Sequence, residues 1–530
     1  MIWNCSELGA GYAADGFARG RGVGAVITTL GVGGLSALNA CAGCYSEDLP
    51  VLFINGGVNS NDMAGSQHVL HHTVGRPGDY GQQLRAYKEF TCAQAVVQHT
   101  SQAQRQRESK PGYIEVCCNL SGLKHPSLSD PPAPLPDVAL PVDGPSFSAA
   151  VAAAAAALQG AAKPVLLAGP RLRAARRRAA FVRVAEASGL PVAVTADGRG
   201  AFPEDHKQLL GTYWGGISGP GVNEAVASAD VVVSCGVVNT DYSTLGHSHK
   251  LLPEKVIDVQ PGCVTVKGGP TYSCTGDVEG FLSALAGELQ PNPNPLKTLH
   301  RMQPPRTPPY AAAEEPAETA ESAVGPEEQL LTVWTLGREV QEHIGAKTVV
   351  LAETGEATFT AMKLQLPPGC LMEVQMRYGS IGWSVGATLG LSLAAQSEGR
   401  RVVSLIGDGS FQMTAVELST MLRFGAAPII VLLNNGTYVI EEEIHHGEGY
   451  NDLQVWDYVA LARAMHNGRG RLRVATASTP SQLRDALRDA AGSPDELALI
   501  ECRLRPDDCS VELLEFGARV AAANSRPPAA

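Results

Sequence analysis

Short, wholly apolar runs alternate with stretches of helical period along most of the chain. Val23–Thr29 reads as a strand, Leu35–Ser46 as a helix and Pro50–Asn55 as a second strand. Strands without polar alternation are buried on both faces, and separating them by helices predicts crossover connections and a parallel sheet. The same grammar returns around "KPVLLAG", "LPVAVTA", "ADVVVSCG" and "EKVIDV", and again around "KTVVLAETG", "RRVVSLIGDGS" and "APIIVLLNNG". Proline crowds Asp130–Pro145 and Pro291–Pro326, and the second segment adds Ala and Glu. Such composition buries little apolar surface and marks connectors between domains. The expected architecture is therefore α/β, with three doubly wound parallel-sheet domains at 1–140, 141–300 and 326–530 and a linker at 301–325.

Composition narrows the setting. The 530 residues carry 41 Lys+Arg against 53 Asp+Glu, a formal charge of −12, without a long basic block. Attraction to nucleic acid or to an anionic membrane is not expected. The longest apolar stretch, Ala149–Leu158, is too short to cross a bilayer, so the chain reads as soluble. Met1 and Ile2 run straight into "WNCSELGAGYAADG" with no signal-peptide pattern. Twelve scattered cysteines fit reduced, buried thiols and a cytoplasmic location. Cys41 and Cys44 have redox spacing but fall inside a helix, where two small core residues are expected. The Ala run and the Arg171–Arg178 cluster read as solvated helix of high propensity rather than as a binding surface.

The richest chemistry lies between Arg401 and Glu443. The strand "RVVSLI" ends at Gly407-Asp408-Gly409-Ser410, a helix Phe411–Phe424 follows, and the strand "PIIVLL" ends at Asn434-Asn435. One right-handed βαβ unit would put Asp408 and Asn435 at neighbouring carboxyl ends, facing one crevice. A carboxylate and an amide oxygen there suit a hard cation such as Mg²⁺, and backbone N–H groups at the start of the helix favour phosphate. The pairing predicts a metal-bridged diphosphate.

These residues resemble the diphosphate signature of thiamine-diphosphate enzymes. "NNGTYVIEEEIHHGEGYNDLQVWDY", "RYGSIGWSVGATLG", "VLHHTVG", "NTDYSTLG" and "NCSELGAGYAADGFARGRGVGAVITTLGVGGLSALNA" are similar to the 2-oxo acid decarboxylases of that family, especially the plant-type pyruvate decarboxylases. The likeness spans all three domains and implies the site. Asp408, Asn435 and the carbonyl of Thr437, where the family usually has glycine, would hold Mg²⁺. Gly409 and Ser410 would line the diphosphate. The Gly379 carbonyl would accept from the aminopyrimidine, beside Ser380, and Ile381 would wedge between the cofactor rings. Glu7 would bond the aminopyrimidine nitrogen and promote loss of the thiazolium C2 proton, a role that needs a carboxyl able to keep or share a proton near neutral pH. His71 and His72 would relay protons. Glu441 would act around decarboxylation and product release, with Ile440 and Ile444 shaping an apolar pocket. Glu442 and Glu443 would only flank it, and His445-His446 would be surface loop.

The implied reaction is non-oxidative decarboxylation of a 2-oxo acid, pyruvate to acetaldehyde and CO₂, through a cofactor carbanion and enamine. The implied assembly is a homo-oligomer, a dimer or a dimer of dimers, with active sites shared between subunits. Family members carry a strand, a helix and a relay aspartate ahead of the Glu7 motif. On the resemblance this chain is expected to lack that unit, which would leave a sheet edge unpaired and turnover reduced. Three alternatives stand beside this reading. The substrate could be indolepyruvate, phenylpyruvate or a branched-chain acid, with a flavin-bearing carboligase of the acetolactate synthase kind more distant. The chain could be a weakly active structural or regulatory partner of a full-length subunit. A nicotinamide dehydrogenase is poorer, because "GVGGLSALNA" lacks the full dinucleotide fingerprint.

Overall fold

The computed structural model describes residues 1–65, 68–97, 110–122, 144–249, 251–274, 278–302, 309–311 and 330–525. The joint 130–145 and the linker 301–325 fall mostly outside these residues.

Three sheets follow one another along the chain. The first has the order β1-β2-β4-β3, from β1 (Gly24–Thr28), β2 (Val51–Gly57), β3 (Ala93–Val97) and β4 (Gly112–Cys117), with every pairing parallel. The second contains β5 (Pro164–Ala168), β6 (Val192–Thr195), β7 (Leu209–Tyr213), β8 (Val231–Cys235), β9 (Val256–Gln260), β10 (Cys263–Val266) and β11 (Thr271–Ser273). Its order is β11-β10-β9-β8-β5-β6-β7, and only β9-β10-β11 run antiparallel. The third joins β12 (Thr348–Ala352), β13 (Leu371–Val374), β14 (Arg401–Gly407), β15 (Ile429–Asn434), β16 (Leu472–Ala477) and β17 (Leu497–Arg503), all parallel, as β13-β12-β14-β15-β17-β16. Every residue of β15 is buried, as a central strand covered on both faces requires. By contrast, among the described residues β1 pairs with β2 alone and leaves Ile27 59% exposed at the sheet's edge.

The first and third sheets are coupled by two helices in backbone contact, Glu7–Arg21 and Trp383–Gln396. Glycine permits it: a Cβ at Gly390 would lie 1.8 Å from the Ala13 carbonyl oxygen, and one at Gly16 2.1 Å from that of Ala387. Arg19, on the first of these helices, is buried among carboxylates. It pairs with Asp15 at 2.6 Å, Glu373 at 3.1 Å and Glu47 at 3.5 Å, and lies over the Trp383 ring.

Five sequence expectations need correction. The stretch Phe411–Phe424 is two helices, Asp408–Thr414 and Glu417–Phe424, and Leu35–Ser46 is likewise broken between Val32–Ser36 and Leu38–Ser46. Arg171 and Arg173 are not solvated helix residues. They occupy a short turn after β5 and reach inward, Arg171 to Asp48 at 2.9 Å and Arg173 to Glu373 at 3.1 Å. The Ala-rich helix Pro145–Gln159 buries Ala150, Ala154 and Leu158 on one face, because small side chains let it lie close to its neighbours. Within the proline-rich segment after 291, Asn294–Met302 is helical and buries Leu296, and Tyr310 is 5% exposed with its hydroxyl donated to the Thr360 carbonyl at 3.1 Å. Two apolar anchors suffice to dock chain that composition alone marks as connector.

Candidate active site

The third sheet builds the strand-tip crevice. Gly407 pairs in register with Leu433, so Asp408 and Asn435 emerge from adjacent parallel strands, as the βαβ reading expects. Asp408 is 2% exposed. Its Oδ2 accepts the Gly436 N–H at 2.8 Å and its Oδ1 accepts the Gly409 N–H at 3.0 Å. Burial pushes its carboxyl up to about 6, against the pull of those N–H groups, and no ion pair compensates it among the described residues. Asn434 is committed elsewhere, donating to Glu501 at 2.8 Å, which leaves Asn435 for the crevice. Asn435 Oδ1 accepts the Thr437 N–H at 3.3 Å, and the Thr437 hydroxyl donates to the Asn451 carbonyl at 3.1 Å. The Thr437 carbonyl accepts no hydrogen bond among the described residues. A buried uncompensated carboxylate, an amide oxygen and a free carbonyl form a hard-oxygen donor set, and such a set fits Mg²⁺. The Tyr438 ring stands over Gly409, where a Cβ would meet it at 2.3 Å, and Ser410 is buried beside it.

The stretch Gly379-Ser380-Ile381 is half-buried and tied to the same place. Gly379 has φ +63°, a left-handed conformation that glycine adopts without strain. Ser380 N–H donates to Gln375 at 2.8 Å, and Thr414 donates to the Gly382 carbonyl at 2.6 Å, linking this stretch to the helix that begins at Asp408. One carboxylate here was missed by sequence reasoning. Glu353, fully buried at the tip of β12, accepts the Gly382 and Ser384 N–H groups at 3.1 Å each. Its signal was available, since "VVLAETG" ends an apolar strand on an acid just as "VVSLIGDG" does.

The first sheet carries the other predicted residues. Glu7 opens its helix, with Ser6 as the cap. No hydrogen bond or ion pair among the described residues ends on the Glu7 carboxylate. It lies against the turn Gly31–Gly34, where a Cβ at Gly33 would come within 3.3 Å of Glu7 Oε1. His71 and His72 are exposed with ring centres 4.4 Å apart, and the His72 carbonyl presses on Gly31 of that turn. The structure thus gathers Glu7 and the histidine pair around one glycine turn. Among the described residues no hydrogen bond joins any of the three to the strand-tip residues. A second missed carboxylate, Glu417, braces the Glu7 helix. It is fully buried and takes Asn4 Nδ2 at 2.8 Å and Ser6 N at 3.2 Å, and a Cβ at Gly9 would collide with it.

On the helix Val439–Ile444, Glu441 is exposed, and Ile440 packs against the core. Glu442 is spent on the loop that follows, accepting Gly447 N at 2.7 Å and Asn451 Nδ2 at 2.9 Å, and Glu443 packs on Gly517 of the last helix, Val511–Asn524.

Comparison with known proteins covers most of the chain. Residues 1–78 match the thiamine pyrophosphate enzyme N-terminal TPP binding domain, 151–285 the central domain and 353–502 the C-terminal TPP binding domain. Pyruvate decarboxylase 1 of Oryza sativa subsp. indica is 47% identical over 539 residues, covering all of this chain and 86% of its own length. Pyruvate decarboxylase 3 of Arabidopsis thaliana is 45% identical over 534 residues, covering 99% of this chain and 87% of its own. Pyruvate decarboxylase 1 of Pisum sativum is 45% identical over 539 residues, covering all of this chain and 88% of its own.

Proposed function

The chain belongs to the thiamine pyrophosphate enzymes, among relatives named pyruvate decarboxylase, and from that premise we propose that it splits pyruvate into acetaldehyde and CO₂ as a carboxy-lyase dependent on thiamine diphosphate and Mg²⁺. The observation that carries this reading is the uncompensated Asp408 carboxylate at one strand tip, hydrogen-bonded to the loop that presents Asn435 from the next. Bound thiamine diphosphate supplies an electron sink for the bond that breaks as CO₂ leaves.

The chain's own residues then have distinct tasks. Asp408, Asn435 and the Thr437 carbonyl would hold the metal, and Gly409 and Ser410 the diphosphate. The Gly379 carbonyl would accept from the aminopyrimidine, with Ser380 beside it, and Ile381 would keep the two rings bent together. Glu7 would hold a proton at the aminopyrimidine nitrogen. His71 and His72 would move protons at the substrate carbon. Glu441 would work in the substrate pocket, whose wall Ile440 and Ile444 shape for a small acyl group.

The working form in this reading is a homo-oligomer, a dimer or a dimer of dimers, in which Glu7 and the histidines of one copy face the strand tips of another. The free Glu7 carboxylate and the exposed apolar side chains of Val32 and Leu35 beside the glycine turn support it. All twelve cysteines are unpaired, which suits the reducing cytosol as its compartment.

The test is a panel of 2-oxo acids assayed with thiamine diphosphate and Mg²⁺, alongside light scattering. Pyruvate should be the best substrate, turnover should vanish on chelation, and the particle should be at least a dimer. Bound cofactor without turnover of any 2-oxo acid would overturn the reading.

A further inference from the structure

The turn Gly31–Gly34 separates the groups on which proton handling depends, Glu7 on one side and the His71–His72 loop on the other. A Cβ at Gly33 would approach Glu7 Oε1 to 3.3 Å, and one at Gly31 would lie 1.7 Å from the His72 carbonyl oxygen. Whatever fixes this turn therefore fixes the spacing of the two groups. Its own backbone does so in part, the Leu35 N–H donating to the Gly31 carbonyl at 2.8 Å and the Gly34 N–H to the Thr29 carbonyl at 3.1 Å, while Gly31 itself sits at φ +66°, ψ −88°, outside the regular regions. Side chains grip it as well. Gln83 Oε1 accepts the Gly31 N–H at 2.7 Å, and the Tyr87 hydroxyl donates to the Gly34 carbonyl at 2.6 Å.

A polar chain runs on behind Gln83. Its Nε2 donates to the Tyr113 hydroxyl at 2.9 Å, and that hydroxyl donates to Glu115 at 2.5 Å. Gln83, Tyr113 and Glu115 are 4%, 1% and 2% exposed, and the proposed reaction gives none of them a task. The chain has a direction. An amide has one accepting end and one donating end, so Gln83 accepts from Gly31 only while its NH₂ faces Tyr113. Tyr113 can accept that N–H while its single proton is spent on Glu115, whose Oε2 accepts it. A buried acid in the middle of β4 thus sets the orientation of an amide two side chains away.

We propose that Glu115 is a positioning residue for Glu7 and the histidine pair, acting through Tyr113 and Gln83 on the Gly31–Gly34 turn. The kinetic part of this inference rests on the decarboxylase reading, whereas the conformational part stands without it.

Three variants of the full chain test it: Glu115→Gln, Tyr113→Phe and the double. Hydrogen–deuterium exchange of the Gly31 amide, followed on the peptide spanning the turn without added cofactor, should quicken about tenfold in each single variant and no further in the double. With thiamine diphosphate, Mg²⁺ and pyruvate, kcat should fall about tenfold in each, while KM and the Mg²⁺ requirement stay within about twofold. Unchanged exchange at the turn, or losses that add in the double, would overturn the proposal, as would a raised KM and Mg²⁺ requirement, which mark general loosening. Should Glu115→Gln fail to accumulate as folded protein, Tyr113→Phe, which deletes one oxygen, is judged by the same exchange and kinetic criteria. An inactive wild-type chain would sink the decarboxylase reading and leave the exchange result to decide this one.

Discussion

Asp408 and Glu47 are both carboxylates with 2% exposure, yet they keep opposite company. Around Asp408 there are backbone N–H groups and, among the described residues, no paired cation, and burial carries its carboxyl up to about 6. Burial also opposes the charge on Glu47, but Arg377, Arg19 and Arg173 outweigh it and hold that carboxyl below its ordinary range. The difference separates two uses of buried charge. Around Glu47 the chain has answered its own charges, which ties the first, second and third sheets together through Asp48–Arg171 and Glu373–Arg173. At Asp408 no ion pair among the described residues answers the charge, and the hard oxygens beside it are of the kind a divalent cation takes, which is the role proposed for it.

The sharpest way to break this contrast is Asp408→Asn. If the carboxylate is held for a cation, Mg²⁺-dependent binding of thiamine diphosphate should disappear in calorimetry, and pyruvate turnover should fall by about a thousandfold, the several kcal/mol that a metal contributes to charge stabilisation. Thermal unfolding without metal should stay level or move upward, because a buried uncompensated charge has been removed. A large loss of thermal stability without metal would instead class Asp408 with Glu47.

Arg19→Met probes the other side. Removing the guanidinium strands Asp15, Glu47 and Glu373 without their shared cation, and breaking one partner of a buried ionic cluster costs about 3–5 kcal/mol. Denaturant unfolding should register that loss. The Mg²⁺ affinity of the protein that remains folded should match wild type, since none of these groups touches the strand tips.

The two regions also differ in how far the sequence reveals them. Asp408 and Asn435 were legible because each ends an apolar strand, and two consecutive parallel strands must present their tips together. The Glu7 and histidine motifs were legible through family resemblance, although their shared glycine turn emerged only from the fold. The ionic junction was not legible, because Glu47 and Arg377 are 330 residues apart and nothing local marks either as paired. Arg171 and Arg173 looked solvated for the same reason: a run of arginines carries no record of the carboxylates that meet it. The breaks in Phe411–Phe424 and Leu35–Ser46 were missed because apolar period continues across both bends.

Glu356 refines the rule that an unanswered buried charge marks chemistry. It is 6% exposed and pushed up to about 7, burial being the main cause, yet its hydrogen-bond partners are not Asp408 or Asn435: it accepts from Ser510 N at 2.9 Å, Ser510 Oγ at 3.0 Å and Thr360 Oγ1 at 3.0 Å. Those bonds cap the helix Val511–Asn524, so here the same condition serves stability. For an acid whose folded value is raised, the folded state keeps its proton while the unfolded chain gives it up. The contribution of Glu356 to stability is therefore most favourable at low pH and declines as pH rises from the unfolded value of 4.5 through about 7. The decline amounts to about 3 kcal/mol, at roughly 1.4 kcal/mol for each pH unit separating the two states. Glu356→Gln cannot titrate, so its unfolding free energy should lose that slope and exceed wild type above pH 7, with pyruvate turnover held within about twofold. An unchanged slope would place the ionised form of Glu356 at ease in the core. A collapse of turnover would mean that chemistry extends beyond the strand tips.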